Sequence, residues 1–281
     1  MINYYLLIKP GIILGNLITV AAGFLPASKG VIDLRLFFET LIGMGCVIAS
    51  ACVFNNYIDR VVDKKMERTK NRRLAKGIVT PRNAILFAIF LGILGNAILF
   101  AYTNLLTVLI TDIGFFVYVV LYSLWKCRTI YGTAIGSIAG GVPPVVGYCA
   151  VSNQFDIGAA TLFAIMVLWQ MPHFFSIAMF RLKDYSAASI PVLPVKRGAS
   201  STKVRMMLYI VGFIIAAIML TALGYTGYVY LGVAALLGIA WLALCIKGFK
   251  SDNDNLWARQ MFRLSLVVIT ALSIMISVDV V

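Results

Sequence analysis

The sequence predicts an all-α integral membrane protein with nine transmembrane helices, and three observations carry that class. Mean hydropathy is +0.94, with 61% hydrophobic and only 12% charged residues. No water-soluble domain has that balance, and a polytopic helical membrane protein does. The apolar runs are continuous and about 20 residues long rather than alternating, which argues against a β-barrel. The basic residues fall almost wholly on one side of the alternating loops, as cytoplasmic segments require.

The elements follow in order. The first span, about 8–26, begins at Lys9-Pro10. No charge precedes Lys9, so this run fits a first span better than a signal peptide. The second, about 36–55, is LFFETLIGMGCVIASACVF and little else. A long basic segment, about 56–83, follows it. Spans three and four, about 84–102 and 105–125, are separated by the short uncharged turn TNLL. Span five, about 130–151, is interrupted by Gly140-Gly141-Val142-Pro143-Pro144. Those prolines read either as packing kinks or as carbonyls freed toward a polar cavity. Span six, about 158–180, carries Pro172-His173 toward its inner end. A second long inner segment, about 181–205, leads to spans seven to nine, about 206–226, 228–247 and 262–280.

With a cytoplasmic N-terminus, the inner segments hold Lys9, nine basic residues between 60 and 82, Lys126, Arg128, six between 181 and 205 and four between 247 and 263. Only Lys29 and Arg35 fall outside. The net charge of +13 is therefore topological, and nucleic acid is not expected as a partner. The chain is expected to form one polytopic domain over residues 1–281, with the two long inner segments carrying its site. The five cysteines contain no CxxC pair and read as small buried residues rather than a disulfide or zinc set.

Asn55, Asp59 and Asp63 sit four residues apart, one helical turn each, at the inner end of the second span. Anions there cost free energy unless cations hold them. Mg²⁺ takes oxygen ligands, commonly one or two carboxylates plus substrate phosphate. Asp59, Asp63 and Asn55 are thus candidate metal ligands and catalytic residues. Arg68, Lys70, Arg72, Arg73 and Lys76 follow within one basic run and are candidate ligands for a diphosphate. Lys9, Arg128, Arg181 and Asp184 are added as substrate-binding candidates at the same membrane face, with Asp184 a further candidate metal ligand. The plainer reading is a solvated helix end, with Asp59 and Asp63 paired to neighbouring Arg60 and Lys64. His173, the one histidine, is a candidate catalytic residue. It reads as a haem ligand, a general base, a phosphate contact or a hydrogen-bonded core residue. Asp112 lies within the fourth span, where an acid is a functional candidate by default. Its distance from the inner clusters favours a structural role, held by Thr107, Thr111 or Tyr118.

These segments carry a resemblance. NNYIDRVVDKKMERTKNR resembles the first aspartate-rich motif of the UbiA superfamily of intramembrane prenyltransferases. WQMPHFFSIAMFRLKDYSAASIPVLPVKRG and IAGGVPPVVGY resemble its haem-farnesylating branch, and the likeness runs essentially the whole chain. The resemblance implies nine helices around a central cavity open to the cytoplasm, in a bacterial cytoplasmic (inner) membrane. It implies Mg²⁺ on the aspartate-rich motif, with farnesyl diphosphate and haem B as substrates. Farnesyl transfer to a haem vinyl group, with addition of water, would give haem O for a terminal haem-copper oxidase. The bilayer, and oxidase or haem-handling membrane proteins, are the implied partners. Where the quinone-type enzymes have a second cluster of aspartates, this chain offers His173 and Asp184. Prenyl transfer to another acceptor, such as a quinone precursor, and membrane transport are the alternative functions.

Overall fold

A computed structural model describes residues 2–280. Among them all regular structure is helical, and the one β contact is an isolated bridge between Thr226 and Val280. A short helix, α1 (Ile2–Leu7), precedes α2 (Pro10–Ala27), α3 (Leu34–Asp63), α4 (Pro81–Tyr102) and α5 (Leu105–Phe116). The fifth continues through a π-helical turn, Val117–Tyr122, into the stub α6 (Ser123–Trp125). Then come α7 (Gly132–Ser152), α8 (Ile157–Phe180), the short α9 (Leu182–Ala187), α10 (Leu193–Ala222), α11 (Tyr228–Lys247) and α12 (Asp254–Val278). Among the described residues, nine stretches are long and apolar enough to cross a membrane, α5 to α6 counting as one.

Local chemistry sets the helix starts. Asp33, Thr80, Asn104, Asp156 and Asn253 each accept a backbone N–H two or three residues into the helix they precede. Such caps satisfy donors that lipid cannot. Two helices extend past the apolar runs that announce them. The second runs to Asp63, because Ile58, Val61 and Val62 prolong its period beyond residue 55. The seventh spanning helix starts at Leu193 with Pro194 in its first turn, then breaks at Gly198 (φ 77°, ψ 175°). The segment expected as an inner loop is therefore largely helical.

The spanning helices follow one another around a ring, each packed on the next, and α12 closes the ring against α2. The most buried members, α7 and α8, also pack across it, on α2 and α12 respectively. The crossing of α2 and α7 depends on small residues: a Cβ at Gly23 would strike the Pro144 carbonyl, and one at Gly147 the Val20 carbonyl. Backbones approach this closely in membranes only where side chains are minimal. Helix α7 runs unbroken through Pro143 and Pro144, both buried. The largest apolar core joins α7, α8, α10, α11 and α12. Large apolar side chains are exposed on the outer helix faces, as a lipid-facing surface requires.

Candidate active site

The site lies at the end of the bundle that carries the basic residues. Helix α3 presents Asn55, Asp59 and Asp63 one turn apart, with Asn55 and Asp63 buried. Each has a cation from a different segment. Lys9 Nζ donates to Asn55 Oδ1 at 2.9 Å. Lys126 Nζ forms an ion pair with Asp59, both side chains largely buried. Arg72 Nη1 donates to both carboxylate oxygens of Asp63 at 2.9 Å. None of these cations is a sequence neighbour of the side chain it holds. Arg60 instead donates to its own helix at the Tyr57 carbonyl and lies over the Tyr57 ring. The solvated-helix-end reading fails on this point.

Backbone geometry delivers the three cations. Lys9 sits between α1 and α2 in the left-handed region, φ 55° and ψ 68°. Pro10 disfavours the right-handed helical conformation at the residue before it. A non-glycine residue at positive φ is strained, and such strain clusters at functional sites. Asn56 donates to the Leu7 carbonyl and holds α1 in place. Arg72 returns to α3 because the segment after Asp63 is a chain of turns, with Thr69 Oγ1 donating to the Asp63 carbonyl. Lys126 follows the π-helical turn. π-Turns of this kind often mark functional sites. Here Tyr118 and Tyr122 stack at 5.5 Å, and Lys126 Nζ lies 5.0 Å over the Tyr122 ring.

The two segments after α3 and α8 meet. Asp184 Oδ1 accepts from the Glu67 backbone N–H at 3.2 Å. Beneath it Met66, Ala188 and Ile190 form a small apolar cluster with Val62 and Tyr185. Burial raises the Tyr185 phenol above its usual range, Tyr122 adding to the rise and Arg68 and Lys126 opposing it. Tyr185 therefore stays a neutral hydroxyl within the field of those two cations.

The structure does not gather every candidate from the sequence. Asp184 is engaged with the Glu67 backbone, and no three His, Cys, Asp or Glu side chains converge among the described residues. Lys70 pairs with Glu67 at an exposed position. Arg68, Lys76 and Arg128 are exposed, Arg73 and Arg181 half-buried, and Arg181 lies over Phe180. Asp112 has no hydrogen bond to Thr107, Thr111 or Tyr118, because Thr111 donates to the Thr107 carbonyl and Thr107 to Asn104. It lines a groove of about 590 Å³ between α3, α4 and α5 with Ser50 and Asn96. Lys126, by contrast, was missed as a site residue. Its signal was present: a lysine directly after the aromatic run Tyr118, Tyr122, Trp125.

His173 stands on α8 away from these ion pairs, 8% exposed. It stacks on Trp169 at 4.7 Å and makes a 2.7 Å hydrogen bond through Nδ1 to Ser265 on α12. One face of α7 connects the two regions. A Cβ at Gly136 would meet the Tyr122 ring at 3.1 Å, and one at Gly140, a turn later, would strike the Gln170 amide three residues before His173.

The oxygen set fits Mg²⁺ in type: two carboxylates and an amide, one turn apart. Asn55 Nδ2 is buried with no partner, an orphaned donor aligned with that set. A phosphate oxygen would satisfy it.

Comparison with known proteins places these features. The profile of the UbiA prenyltransferase family matches residues 16–267. The chain is 58% identical over 282 residues to the protoheme IX farnesyltransferase of Protochlamydia amoebophila strain UWE25, covering 100% of each chain. Among solved structures it is similar to a digeranylgeranylglyceryl phosphate synthase, with TM-score 0.82 and 19% identity over 99% of this chain and 97% of that one. It is also similar to a UbiA homologue from Archaeoglobus fulgidus bound to GPP and Mg²⁺, with TM-score 0.71 and 17% identity over 98% and 99%.

Proposed function

The chain belongs to the UbiA prenyltransferase family, and from that premise we propose that it moves the farnesyl group of farnesyl diphosphate onto a vinyl group of haem B. Water adds in the same reaction, and the products are haem O and diphosphate. The observation that carries the reading is the α3 stripe with its three cations, Lys9, Lys126 and Arg72, drawn from separate segments. The acceptor follows from a relative 58% identical along its whole length.

Farnesyl diphosphate ionises at C1, and negative charge grows on the departing diphosphate. Lys9, Lys126 and Arg72 are placed to take that charge, Arg72 through a planar fork suited to phosphate. Asn55 Nδ2 donates to a phosphate oxygen. Mg²⁺ on Asp59, Asp63 and Asn55, when bound, supplies further neutralisation of the leaving group. The stacked rings of Tyr118 and Tyr122 present π-faces to the allylic cation, and the surrounding helices keep it from bulk water. The vinyl π-electrons form the new C–C bond. Water captures the resulting carbocation and loses a proton, which leaves the hydroxyl of haem O. We assign His173 to the acceptor side, as a ligand to the haem iron.

The basic end, with its 22 Lys and Arg residues, is assigned to the cytoplasm of a bacterial inner membrane. Haem O made there serves a terminal haem-copper oxidase, and oxidase or haem-handling proteins are the proposed partners. The test is an assay of purified protein with haem B, farnesyl diphosphate and Mg²⁺, read by product mass. Haem O and diphosphate in equal amounts are expected; prenylation of a quinone precursor but not of haem would overturn the reading.

A further inference from the structure

His173 Nδ1 and the carbonyl of Phe262 both contact Ser265 Oγ, at 2.7 and 2.6 Å. Ser265 is fully buried, so no solvent competes for its hydroxyl. One hydroxyl proton cannot serve both contacts. The Phe262 carbonyl has no proton to give, so the Ser265 O–H must donate to it. Nδ1 must then carry its own proton and donate to Ser265 Oγ. This is the one arrangement that satisfies both short contacts.

The consequence falls on the other ring nitrogen. With the proton on Nδ1, the neutral imidazole has a bare lone pair on Nε2, and no partner for Nε2 exists among the described residues. The ring is held rather than free to rotate. Trp169 stacks on it, Phe262 lies 5.0 Å away, and the Trp169 indole N–H donates to the backbone carbonyl of the same Ser265. A second observation points to a ligand here. Gln170, three residues before His173 on α8, is 5% exposed, and its Oε1 has no partner. This patch of α8 carries two acceptors that the protein leaves unsatisfied.

We propose that Ser265 is a positioning residue: it fixes the Nδ1–H tautomer and the ring plane of His173, so that Nε2 is preset to ligate the iron of the porphyrin acceptor. Imidazole ligands generally depend on such an outer partner, whose loss weakens the metal complex about 10- to 100-fold. The proposal rests on haem as the acceptor, and its tests are separable from that reading.

Because His173 is the only histidine, ¹⁵N-histidine labelling of the haem-free wild-type protein, purified through a tag without histidine, gives one imidazole. Its nitrogen shifts are expected to show a protonated Nδ1 and an unprotonated Nε2; the opposite tautomer overturns the proposal without any mutant. Ferric haem B is then titrated into wild type and into folded variants, with affinity and Soret position as readouts. Ser265→Ala keeps the backbone carbonyl that holds Trp169, and is expected to bind haem about 10- to 100-fold more weakly, with a spectrum like that of His173→Ala. Ser265→Thr retains the hydroxyl and is expected to restore both. If Ser265→Ala matches wild type while His173→Ala does not, positioning is wrong; if His173→Ala also matches wild type, ligation is wrong. A wild type with the histidine-ligated spectrum but no farnesyl transfer would sink the reaction and leave this proposal standing.

Discussion

Asp59 and Asp63 are held differently, and that difference predicts how each site residue fails. Asp63 is 1% exposed and gripped at both oxygens by Arg72. Asp59 is 13% exposed at its side chain and is held by the flexible ammonium of Lys126 rather than by a guanidinium fork. Replacing either with Asn removes a charge from the oxygen set and leaves a cation unmatched. For both we expect kcat to fall by at least about 10³-fold, together with a lower melting temperature of the detergent-extracted chain, because a cation that is at least partly buried loses its carboxylate. Retention of more than a tenth of the turnover by Asp59→Asn would remove it from the metal set. Lys126→Met is expected to lower kcat/KM for farnesyl diphosphate by about 10²-fold, while haem affinity stays unchanged in the same preparation. An equal loss in haem affinity would mean that Lys126 supports the fold rather than the leaving group.

At the scale of the element, periodicity and charge made the helices legible. Apolar runs marked the spanning helices, and four-residue spacing put Asn55, Asp59 and Asp63 on one face of α3. The pairing of that face was not legible. Lys9 reaches Asn55 through a left-handed backbone turn, and Lys126 reaches Asp59 across a π-turn. Neither pairing has a fixed sequence spacing, and the exposed Lys70, Lys76 and Arg128 look no different from Lys9 and Lys126 in the sequence. The partner of Asp184 was equally illegible, since it is the backbone N–H of Glu67. A third lysine was unreadable because it looks like any inner-loop cation. Lys203 is buried on α10, donates to Asp254 and the Gly248 carbonyl, and lies over Trp257. It ties together the basic ends of α10, α11 and α12. Lys203→Met is expected to cost about 2 kcal/mol, seen as a lower melting temperature in detergent, with KM for farnesyl diphosphate unaltered.

For the molecule as a whole, the nine candidate spans among the described residues predict that residues 2 and 280 lie on opposite sides of the bilayer, with the basic end assigned to the cytoplasm. Reporter fusions after Lys76 and Lys250 are therefore expected to be active on the cytoplasmic side, and fusions after Asn104 and at the C-terminus on the far side. A cytoplasmic C-terminal reporter would contradict the count of nine. The closed ring also gives the ion pairs of the resting site a part in turnover. Lys126 and Arg72 have carboxylates to return to. When diphosphate has been made, Asp59 and Asp63 compete with it for the same two cations from within the protein. On the proposed mechanism the resting pairs act as a tethered competitor for the spent leaving group, present at fixed proximity and independent of concentration. The proposed site would then use the α3 stripe for product ejection as well as for substrate capture.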